Sequence, residues 1–138
     1  MILKSHEQLS DEDLESQFKE YTLPPRLFSH AAHLRLALIH LRKYGKDLAK
    51  ENLSFQIRGY ADSLGANQKF NLTITIASIE ILANYLASNP TLDFCGLQEK
   101  HSELFEDFKG IVKKHYSFNV FGDPKAKAEF IAPDLQPF

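Results

Sequence analysis

From Gln68 to Ser88 the chain runs for about twenty residues with no turn signal until Asn89-Pro90. The β-branched run Thr73-Ile74-Thr75-Ile76 taken alone suits a strand. Length decides otherwise, because strands seldom exceed about ten residues. As a helix this segment is apolar on every side: Phe70, Leu72, Ile74, Ile76, Ile79, Ile81, Leu82, Tyr85 and Leu86 surround it. Such a helix must be covered by others, which predicts an all-α bundle. Two polar stripes interrupt it, Asn71, Thr75 and Ser78 on one side and Thr73, Glu80 and Asn84 on the other. Serine and threonine can bond their own helix backbone. Asn71 and Glu80 have no such outlet, and a buried Glu80 needs a histidine or arginine of a neighbouring helix.

The second constraining stretch is Phe28-Ser29-His30-Ala31-Ala32-His33-Leu34-Arg35-Leu36-Ala37-Leu38-Ile39-His40-Leu41. Ser29 suits an N-cap, Gly45 a C′ stop, and Arg42 and Lys43 favour the negative end of the helix dipole. His30, Leu34, Ala37, Leu38 and Leu41 share one face, with Arg35 and Arg42 opposite. His30 is therefore expected to point inward, and His33 and His40, seven residues apart, obliquely. Burial lowers the proton affinity of an imidazole, leaving a neutral ring that can bind metal or act as a base.

The rest of the chain is also helical in pattern. Ser10 caps a short helix beginning Asp11-Glu12-Asp13, with Leu14 and Phe18 on one face, and Leu23-Pro24-Pro25 stops it. Lys46 to Leu64 repeats Ala49, Leu53, Ile57, Tyr60 and Leu64 at helical spacing, with Gly59 inside and Gly65 at its end. Leu97 to about His115 is one further helical region, with Gly110 as its break. Asp123-Pro124 opens a short helix, and the apolar tail from Ile131 to Phe138 is expected to pack on the surface. At 138 residues this makes one domain, residues 1–138, a compact bundle of four to six helices.

A formal net charge of −2 argues against a nucleic-acid partner, and no stretch approaches the ~20 apolar residues of a membrane span. The single cysteine, Cys95, suits a reducing cytosol and is expected in the core as a small apolar residue. The first residues, Met1 to His6, hold no long apolar run or cleavage pattern, so no secretory signal is expected. There is no GxGxxG, phosphate loop, GxSxG or HExxH.

Tyr21-Thr22-Leu23-Pro24-Pro25, the Phe28 to Ala37 stretch, Thr73-Ile74-Thr75, Tyr116-Ser117 and Pro133-Asp134-Leu135-Gln136-Pro137 occur in this order. Together they resemble a family of small bacterial all-helical proteins. Its pattern runs Thr-Leu-Pro, Phe-x-His-x-x-His-Leu-Arg-Leu-Ala, Tyr-His-Glu-Thr-Ile-Thr and Pro-Asp-Leu-x-Pro, and it names no reaction. The resemblance covers nearly the whole chain and aligns His30, His33, Thr73, Thr75 and Asp134 with family positions. Where the family has Tyr-His-Glu, this chain has Phe70-Asn71-Leu72. Three histidines and a carboxylate would suit a divalent transition metal. Asparagine is a poor ligand and leucine none, so a divalent metal, held if present by His30 and His33, is disfavoured here.

Two functions follow as expectations. The first is a small-molecule site between the His30–Tyr44 and Phe70–Leu86 helices. His30 and His33 would be its base or ligands, Asn71, Thr73, Thr75 and Glu80 its ligand-binding residues, and the C-terminal tail its cover. The second is a non-catalytic binding or interaction module whose histidines form a buried polar network. The sequence leaves oligomeric state open.

Overall fold

The computed structural model describes residues 2–138. It is all-α, with eight α-helices, and no strand occurs among the described residues. The described residues fall into two compact units, one ending at Phe70 and the other running from Asn71 to Phe138.

The first unit is built on three helices, α1 (Asp11–Lys19), α2 (His30–Tyr44) and α3 (Lys46–Ser63). The predicted caps form: Ser10 Oγ accepts from Asp13 N at 3.1 Å, and Ser29 Oγ from Ala32 N at 3.1 Å. Gly45, at φ 86°, ends α2 and starts α3, a backbone conformation that side-chain-bearing residues resist. The three helices pack on one another, α2 most extensively on α3. Leu14, Phe18, Leu34 and Leu53 are fully buried.

α1 ends in a Schellman motif, in which Thr22 N donates to Gln17 O at 2.8 Å and Tyr21 N to Phe18 O at 3.1 Å. Its left-handed position is occupied by Tyr21, at φ 62°, and not by glycine. The Tyr21 ring lies over Gly59 of α3, where an added Cβ would fall 1.9 Å from the phenol oxygen. Gly59 is therefore there for close approach.

Arg35 does not face away from the packed side. Its guanidinium donates to Asp11 Oδ1 at 2.9 Å, His6 O at 2.8 Å and Leu9 O at 2.8 Å, tying the N-terminal segment to α2.

The second unit comprises α4 (Leu72–Ser88), α5 (Phe94–Lys100), α6 (Glu103–Glu106), α7 (Phe108–Lys113) and α8 (Pro124–Ala128). The region from Leu97 to His115, expected as one helical region with its break at Gly110, falls into three pieces broken elsewhere. The break between α6 and α7 is local: Asp107 leaves helical geometry at φ −142° and its carboxylate caps α7 by accepting from Gly110 N at 3.2 Å. Gly110 is the seat of that cap and not the break, since a Cβ there would meet the Asp107 carboxylate at 2.3 Å. The total of eight thus exceeds the expected four to six because of short helices in this unit. Cys95, expected in the core, is exposed in the first turn of α5.

Candidate functional site at the histidine helix

The five buried side-chain polar atoms without a hydrogen-bond partner among the described residues all lie on α2 and α3. They are His33 Nε2, both ring nitrogens of His40, Ser54 Oγ and Gln56 Oε1. Sequence periodicity singled out His33 and His40 but ordered the three α2 histidines differently. His30 is exposed, not inward, because it is the first helical residue, ahead of the first buried side chain, Ala32. His33 is half-buried and His40 is buried at 1% exposure, on the face that also carries Leu36 and Ala37.

His33 stands at the edge of an aromatic cluster. Its ring meets Phe28 edge-on at 6.1 Å between centroids, and Phe28 packs on Phe18 at 4.8 Å and on Tyr60 at 5.3 Å. The Tyr60 hydroxyl donates to Leu23 O at 2.7 Å. In these surroundings burial, followed by repulsion from His30, pushes the His33 proton affinity down to about 4. The ring is neutral at physiological pH. Burial also lowers the affinity of His40, against the attraction of the Glu15 carboxylate. Glu15 itself is taken up by Lys43 Nζ at 2.9 Å and the Tyr44 hydroxyl at 2.5 Å.

His6, which the sequence did not mark, is buried beside Arg35, whose Nη1 lies 3.3 Å from His6 Nδ1. A guanidinium can only donate, so Nδ1 accepts and the proton sits on Nε2. Burial first, then the Arg35 charge, lowers its proton affinity too.

The predicted site residues of the second unit carry its framework. Asn71 is the N-cap of α4: its Oδ1 accepts from Ile74 N at 3.0 Å, while Nδ2 donates to Val120 O at 3.0 Å. The cap explains why α4 starts at Leu72 and not near Gln68. The Thr75 hydroxyl donates to Asn71 O at 2.9 Å, and the Ser78 hydroxyl to Ile74 O at 2.7 Å, both within the helix as threonine and serine chemistry allows. Thr73 acts over a longer distance. Its hydroxyl donates to Glu129 O at 2.8 Å and accepts from Ile131 N at 3.1 Å, fixing the start of the tail. Glu80 is half-buried on α4.

The tail is pinned again further on. Tyr116 donates to Ile131 O at 2.6 Å, Ser117 N donates to Asp134 at 2.9 Å, and the Ser117 hydroxyl donates to the same carboxylate. His115 Nδ1 lies 2.7 Å from Gln136 O. The Tyr116-Ser117 and Pro133 to Pro137 motifs are thus two halves of one fastening.

Among the described residues no group of three or more His, Cys, Asp or Glu side chains is placed to hold a metal ion. His30 and His33 alone, three apart at a helix start, supply too few donors for a structural or catalytic site.

No family model matches the chain, and no curated protein or solved structure matches it either. No helix among the described residues is long and apolar enough to cross a membrane.

Proposed function

We propose that the protein binds a small molecule at the His30–Tyr44 helix, with His33 as the group that hydrogen-bonds it. The observation that carries this is the buried, partnerless Nε2 of His33. A buried polar atom left unpaired costs roughly 1–3 kcal/mol, and a ligand that supplies the missing bond accounts for its retention. The rival reading, an interaction module with a structural histidine network, is supported by His6, His101 and His115, which each have a polar neighbour. His33 and His40 do not fit it.

Binding is supported better than catalysis. With its proton affinity at about 4, His33 is a weak base at neutral pH, whereas general bases work best near the operating pH. The neutral ring accepts from a hydroxyl or N–H of the ligand, or donates to a carbonyl, according to its tautomer. The His-x-x-His resemblance belongs to this proposal, and so does a cytosolic home, which a free, exposed Cys95 favours.

The test is His33→Leu, which replaces the unpaired ring with an apolar side chain of similar size. The free protein is expected to be as stable as the parent or more so in urea denaturation. A loss of about 1–3 kcal/mol would mark a structural hydrogen bond and overturn the proposal.

A further inference from the structure

The second unit contains a recess of about 690 Å³ lined by side chains of α7, of the segment that follows it, and of the tail. Its size is that of a small-molecule pocket. Lys109 and Lys113 come from α7, Tyr116, Phe118 and Phe121 from the following segment, and Leu135 from the tail. No carboxylate is among its lining residues.

Two features of this lining call for a ligand of one kind. Lys109 and Lys113 are four apart on one short helix, a spacing at which like charges repel. Lys109 Nζ already lies 5.6 Å from the centre of the Phe121 ring, so cation and aromatic surface adjoin. Leu135 presents an apolar side chain that is 59% exposed, although the residue beside it, Asp134, is fastened to Ser117. The wall is held in place while its apolar contribution stays uncovered.

We propose that this recess is a binding site, separate from the histidine helix, for an organic anion with a flat apolar body, of the aromatic carboxylate class. The two ammonium groups take the carboxylate, and the aromatic side chains and Leu135 take the ring system. Hydrogen bonds between oppositely charged groups are the stronger kind, so the charge dominates selectivity.

The experiment uses 2-naphthoate as probe and its neutral relative 2-naphthylmethanol as control, titrated into the isotopically labelled full chain and followed by amide shifts. Naphthoate should shift resonances of α7, residues 117–121 and Leu135, and bind at least roughly tenfold more tightly than the alcohol. A Lys109→Met, Lys113→Met variant should lose that advantage, and both lysines are exposed, so its melting temperature should hold. Leu135→Ala should weaken both probes together by a few-fold, about what removal of apolar contact costs. Equal binding of the two probes, undiminished naphthoate binding by the lysine variant, or shifts elsewhere than the recess would each overturn the proposal.

Discussion

Thr73 joins two distant points of the chain through one hydroxyl. Its carbonyl partner lies 56 residues on, at Glu129, and its amide partner 58 residues on, at Ile131. Thr75 has the same chemistry two positions later but bonds to Asn71 O, a carbonyl that also accepts from its own backbone amide. The two valine variants should therefore differ. Thr73→Val strands a carbonyl and an amide and should cost about 1–3 kcal/mol by urea denaturation, with faster exchange of the Ile131 amide. Thr75→Val should cost well under half of that, since its carbonyl partner keeps the helical bond. The sequence marked both threonines as polar interruptions of an apolar helix. It could not separate them, because which hydroxyl looks inward to its own helix depends on a partner more than fifty residues away. The same holds for Asn71, whose capping role follows once the helix start is known, and for the order of burial along the three α2 histidines.

At the scale of elements, helices and their caps were legible from local chemistry, because Ser10, Ser29 and Gly45 act on backbone within four residues. Contacts between elements were not. Gly59 was legible as a weak point in a helix or a place of close approach, but what approaches, the Tyr21 ring from the end of α1, was not. Alanine is the better helix former by ~1 kcal/mol, yet Gly59→Ala should destabilise, because the new methyl group displaces a rigid ring by overpacking. Tyr21→Gly in the same chain should recover most of the loss, since glycine accepts φ 62° freely and vacates the space. Thermal melts of the two single variants and the double form a cycle. Additive effects would show that the ring and the glycine do not communicate. The place of the break before α7 was hidden for a related reason: aspartate in a polar helical run signals solvent as readily as it signals a cap, and only Asp107's departure from helical geometry decides.

For the molecule as a whole, His6, His33 and His40 are all driven towards the neutral form by burial. Their sign is common. Above the ordinary value of about 6.5 neither folded nor unfolded chain carries the extra protons. Below it the unfolded chain takes them up and the folded chain resists, so stability falls with pH. For His33 the window runs from 6.5 down to about 4, and its share is up to roughly 3 kcal/mol. Urea midpoints should therefore decline between pH 7 and pH 4, and the decline should be shallower in His33→Leu. A flat profile would mean that these rings titrate normally in the fold. Asp134 adds a second, lower window. The bonds from Ser117 hold its carboxyl below the usual range, so its contribution is present above about pH 4 and is lost as pH falls further. The all-α class could be read from the sequence because one long apolar segment has few solutions. The recess of the second unit could not, because its lysines and its aromatic residues come from an α7 boundary and a tail path that no local pattern sets.

The exposed thiol of Cys95 gives the molecule an address. It is the chain's single cysteine, and it stands in the first turn of α5. A thiol-directed nitroxide or fluorophore therefore attaches at one defined point of the second unit without any prior removal of cysteines. With one further cysteine introduced at an exposed position of the first unit, such as Phe55, pairs of probes turn the separation of the two units into a spectroscopic ruler, readable in solution with and without added ligand.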